Sequence, residues 1–135
     1  MTNNSTFRDF YNHLKQITNV EKVARLAAWD QRVNMPPKGG NARAMQMAYL
    51  SGHHHHLWTS GEVERFINEL KQDDSLDEVQ KKNLAEVERD FHKVAKLPGE
   101  FVSRFSKTVS EAQQAWSEAR KQEDFEVFAP KLQEI

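Results

Sequence analysis

Ala28-Trp29-Asp30-Gln31, the link Arg32-Val33-Asn34, then Met35-Pro36-Pro37-Lys38-Gly39-Gly40 and Asn41-Ala42-Arg43 form the stretch that decides the fold. A helix-forming run meets two prolines, which lack backbone donors and push the residue before them out of the helical region. One helix therefore ends ahead of Pro36, and another opens at Asn41. An indole and a carboxylate just before the loop predict a specified corner, because each needs its own partner. Trp29 is expected to anchor that corner in the core. Asp30 is expected to accept loop donors or to pair with Arg43, in preference to contacting a substrate.

Working outward, apolar residues recur at helical spacing along the rest of the chain. Phe7, Phe10, Leu14 and Ile17 share one face, and Asn19 is expected to break this helix and cap a second one carrying Val20, Val23 and Leu26. Ala44, Met47, Leu50 and Leu57 predict a helix whose centre Gly52 weakens. Thr59 with Glu62, and Ser75 with Glu78, fit capping boxes ahead of the stripes Val63, Phe66, Ile67, Leu70 and Val79, Leu84, Val87, Phe91, Val94. After Pro98-Gly99 comes the cleanest pattern, Phe101, Phe105, Val109, Ala112, Trp116 and Ala119, which predicts a long helix with Trp116 in the core. Gln113 and Gln114 are placed to bridge helices. Alternating strands, a glycine-rich phosphate loop and internal repeats are absent from the sequence. The expected fold is all-α: about six helices in antiparallel hairpins, forming one unit over residues 1–135 with no internal boundary.

The 135 residues suit one domain. A formal net charge of −1 gives no field to attract nucleic acid or an anionic membrane. The sequence has no cysteine, hence no disulfide or thiol chemistry, and a reducing cytoplasm is the expected compartment. Met1-Thr2-Asn3-Asn4-Ser5 lacks the pattern of a secretory signal, and no apolar run is long enough to span a bilayer. Near the C-terminus, Phe125, Phe128, Leu132 and Ile135 keep helical spacing, with Pro130 suited to a first turn. Only about one turn follows it. The expectation is a portion of a longer protein.

Chemistry-bearing residues are sparse. In His53-His54-His55-His56, His53 and His56 share a helix face, but two imidazoles do not make a metal site, and a solvated polar run is the expected reading. No His-Glu dipeptide occurs, so the zincin motif is absent. His13 and His92 sit alone on helical patterns and are expected at the surface. Glu86, Glu88 and Asp90 read as a solvated face, and no serine lies in a nucleophile elbow.

Two blocks resemble the carboxypeptidase Taq family of zinc metallocarboxypeptidases. The first is Ala28-Trp29-Asp30-Gln31 with Met35-Pro36-Pro37, Gly39-Gly40, Ala42-Arg43-Ala44, Leu50-Ser51 and Thr59-Ser60. The second is Ser110-Glu111-Ala112-Gln113-Gln114-Ala115-Trp116, Glu118-Ala119-Arg120-Lys121, Asp124-Phe125 and Phe128-Ala129-Pro130; Leu97-Pro98 is also similar. Arg32-Val33-Asn34 and the histidine run depart from the family pattern. The resemblance implies a larger helical metallopeptidase, often a homodimer, acting on peptides to remove C-terminal amino acids. Its zinc would activate water, with the glutamate of His-Glu-x-x-His as general base. That motif would lie beyond Ile135, so the resemblance carries no catalytic, cofactor-binding or metal residue onto this chain. Alone, the chain is expected to bind no catalytic zinc and to be inactive. The alternative is a stand-alone helical protein-interaction module without catalysis.

Overall fold

The proline pair does end a helix, and the helix it ends is long. A computed structural model describes residues 5–135, so the expectation for Met1–Asn4 lies outside the described residues. The first helix, α1, runs unbroken over Ser5–Val33. It is followed by a 3₁₀ turn at Pro37–Gly39, α2 at Gly40–Thr59, α3 at Glu62–Leu70, α4 at Glu78–Val94 and α5 at Gly99–Gln122. A second 3₁₀ turn at Phe125–Val127 leads into the short α6, Ala129–Glu134, with Pro130 in its first turn as expected. No strand occurs among the described residues, and the all-α expectation holds.

Three local expectations are corrected. Asn19 does not break α1. Asparagine costs a helix at most about 0.7 kcal/mol, and no glycine or proline enforces a stop there. The stripe assigned to a separate second helix is consequently not core: Val23 and Leu26 are exposed. Thr59 does not open a capping box with Glu62, because α2 continues through it and its hydroxyl donates back to the His55 carbonyl at 2.9 Å. The turn is made by Gly61 at φ 93°, a left-handed conformation that glycine adopts without a Cβ clash. The box expected at Ser75 and Glu78 lies two residues on. Asp77 accepts from the Gln80 amide at 2.8 Å while Gln80 Oε1 accepts from the Asp77 amide at 3.0 Å. Ser75 serves the preceding turn, donating to Asp73 Oδ1. Asp77→Ala should lower stability by about 1 kcal/mol, read from the urea midpoint, with Ser75→Ala smaller.

The apolar core gathers at one end. Phe10 and Ile17 of α1 meet Val63, Phe66, Ile67 and Leu70 of α3, Leu76, and Leu84 and Phe91 of α4, with Leu57 and Trp58 of α2 packed against them. The Phe10 and Phe66 rings lie 5.9 Å apart, tilted by 60°.

The other end is built differently. Helix α5 packs most extensively on α2, yet its aromatic stripe does not face the contact: Phe101, Phe105, Val109 and Trp116 are each more than 40% exposed. The expectation that Trp116 is core is thus overturned. Helix α5 turns a row of small residues to α2 instead, and the partners run antiparallel. Gly40 lies against Gln114, the Met47 carbonyl accepts from Ser106, Gly52 abuts Ser103 and His55 abuts Gly99. A Cβ on Gly52 would sit 2.4 Å from Ser103 Oγ. The glycine that weakens α2 as an isolated helix is what lets the two backbones approach.

Candidate functional site

At the corner, the Asp30 carbonyl accepts from the amides of Asn34 and Met35, which closes α1 ahead of the prolines. Arg43, in the first turns of α2, reaches back to Asp30 Oδ2 at 2.6 Å and also donates to the Ala27 carbonyl. This is the Asp30–Arg43 pairing anticipated from sequence. Next to it, Gln31 makes a two-point contact with α5: its amide donates to the Ser110 carbonyl and accepts from the Ser110 hydroxyl, both at 2.9 Å. Gln114 Nε2 reaches the Pro37 carbonyl at 3.4 Å, the bridging role foreseen for it. Trp29, by contrast, is half exposed and does not anchor the corner in the core. Its neighbours in sequence do the anchoring through polar groups, which a reading based on ring size misses.

The histidine run is not uniformly solvated, which corrects the sequence reading. His55 is buried, and its Nε2 donates to the Leu97 carbonyl at 2.7 Å, tying α2 to the α4–α5 connection. His53 stacks on Tyr49, with centroids 6.1 Å apart. His54 lines a cleft with Leu14, Ile17, Thr18 and Glu21 of α1 and Val87, Asp90 and Lys93 of α4. Burial holds its imidazole below the ordinary value, against the pull of Glu21 and with the help of His55. A histidine whose folded pKa is depressed favours the neutral form in the folded state. Its contribution is therefore full above the unfolded value near 6.5 and is lost as pH falls below it. The urea midpoint should drop from pH 7.5 to pH 5, and the drop should be smaller in His54→Gln.

Among other candidates, His13 is half-buried and donates to the Leu57 carbonyl at 2.8 Å, whereas His92 is exposed as expected, 3.6 Å from Glu88. Glu88 itself is held below the usual carboxylate range by its bond from Lys71. It pairs with Lys71 just past the end of α3 and with His92 one turn on along α4, an arrangement of surface ion pairs. Glu111 is likewise lowered, chiefly by Lys131, which fastens α6 to α5 at 2.7 Å. Among the described residues, no three His, Cys, Asp or Glu side chains gather in a way that could hold a metal ion.

The structure thus defines a helical scaffold with a polar corner, a small-residue seam and an exposed aromatic wall. The chain belongs to the carboxypeptidase Taq (M32) metallopeptidase family, whose model it matches over residues 9–135. It is 28% identical to carboxypeptidase 1 of Bacillus subtilis over 129 residues, covering 95% of this chain and 26% of that protein. It is 28% identical to thermostable carboxypeptidase 1 of Pyrococcus furiosus, covering 98% and 26%. The crystal structure of BsuCP superposes with a TM-score of 0.88 at 28% identity, over 95% of this chain and 26% of that one. The structure of Pyrococcus furiosus carboxypeptidase in its apo-Mg form gives 0.69. The chain spans about a quarter of the length of these relatives. A metal is implied by the family, but the residues described here do not provide a ligand set for one.

Proposed function

We propose that this chain is the N-terminal helical portion of a zinc-dependent metallocarboxypeptidase that removes C-terminal amino acids from peptides, and that it forms a wall or cap of the substrate groove. The observation that carries this reading is the match to the family model over residues 9–135, together with an alignment that takes in only 26% of the Bacillus subtilis carboxypeptidase and a superposition on BsuCP at TM-score 0.88. In this reading residues 1–135 are one undivided unit and contribute shape. The zinc ligands, the general base and any other catalytic residue come from the rest of the enzyme. The proposal extends to a homodimeric enzyme in the cytoplasm, for which the cysteine-free composition is suitable.

Purified and supplied with zinc, the 135-residue chain should release no amino acid from a blocked dipeptide. Substituted for the matching quarter of the Bacillus subtilis carboxypeptidase, it should sustain release. Activity of the chain alone, or a folded but inactive chimera, would overturn the proposal.

A further inference from the structure

Helices α1 and α5 both lie against α2, and between them runs an open groove of about 490 Å³ whose apolar lining includes Ala28, Met47, Leu97, Phe101, Phe105 and Val109. The pair Gln31–Ser110 crosses from α1 to α5 within this groove. On α5 the wall repeats every four residues, and the Phe101 and Phe105 rings stack 5.8 Å apart with planes 14° from parallel. A ridge at this spacing is the kind that packs into the surface of another helix.

Two observations identify the occupant. The floor hydroxyls are already engaged with one another: Ser51 donates to Ser106, and Ser106 to the Met47 carbonyl. An extended peptide brings backbone donors and acceptors that need partners, whereas a helix satisfies its own and offers only side chains. The relatives matched by this chain are also nearly four times as long, so most of their fold lies outside the quarter seen here. We infer that the groove between α1 and α5 seats an amphipathic α-helix from the remaining three quarters of a carboxypeptidase Taq polypeptide. That helix presents an apolar face to Phe101, Phe105 and Val109 and a carboxylate to Arg32, which is exposed at the rim. The inference deepens the proposed function and rests on it, and it separates this groove from the one that receives substrate.

Because the chain has no cysteine, a single introduced thiol reports on the groove. Val109→Cys would be labelled with a maleimide in the free chain and in the chimera with the Bacillus subtilis enzyme, the latter cleared of its own cysteines. Tyr49→Cys, outside the groove, serves as control. Labelling at position 109 should be slower in the chimera by about tenfold or more, as for a site exposed only by local opening. Position 49 should be unchanged. With the two parts supplied as separate chains, Phe105→Glu should abolish their association and Tyr49→Glu should not. Equal labelling in free chain and chimera, protection appearing only when a peptide inhibitor is added, a chimera that does not fold cooperatively, or association indifferent to Phe105→Glu would overturn the inference. A protected but inactive chimera would instead sink the proposed function and leave the groove assignment standing.

Discussion

Phe10→Ala should destabilise the protein by about 3–5 kcal/mol, the range for removing a fully buried aromatic side chain. Phe10 is 1% exposed and lies between Phe7, Phe66 and the rest of the core, so the hole left behind has rigid walls on several helices. Domains of this size are stable by only about 5–15 kcal/mol, so the variant should lose a large share of its stability. Urea unfolding followed by circular dichroism measures it, and Phe10→Leu should lose much less because most of the volume is kept. A loss below about 1 kcal/mol for Phe10→Ala would mean that α1 does not pack on α3 as described.

The second large effect belongs to the corner. Arg43→Ala strips the partner from a carboxylate that is only about one-third exposed and from the Ala27 carbonyl. The Arg43 side chain is itself 15% exposed, so water replaces its bonds poorly. Hydrogen bonds to charged groups contribute about 1.5–3 kcal/mol each, and the expected loss is of that order. Asp30→Ala should cost less, since Arg43 keeps its bond to Ala27. A double-mutant cycle isolates the coupling, and a coupling near zero would remove Asp30 from the corner's support.

The corner and the core were legible in the sequence for different reasons. The proline pair acts through backbone geometry that no tertiary context overrides, and the Asp30–Arg43 pair followed from two charges flanking one short loop. The α3 stripe was legible because all four of its apolar positions are buried. On α5 the same kind of reasoning misplaced the contact face. Its apolar period is long and regular, yet Gly99, Ser103 and Ser106 also recur at helical steps and face α2, while Ser110 continues the row onto Gln31 of α1. Small residues contribute little hydrophobic signal but permit close approach, and periodicity alone cannot rank the two faces. Nor could Asn19 be ranked, since a residue that caps well is also tolerated inside a long helix. The burial of His55 depends on the Leu97 carbonyl, 42 positions away, which no local pattern encodes.

The unbroken α1 has a consequence for how the molecule breathes. Its 29 residues extend about 43 Å at 1.5 Å per residue. One half carries Phe10 and Ile17 into the core, and the other carries Asp30 and Gln31 into the corner. A helix split at Asn19 would have let the corner open by swinging on a hinge while the core stayed shut. With a single rod, opening the corner must either fray α1 from its C-terminal end or pull on the core. Amide exchange along α1 should therefore slow progressively from Val33 toward Ile17, without a step at Asn19.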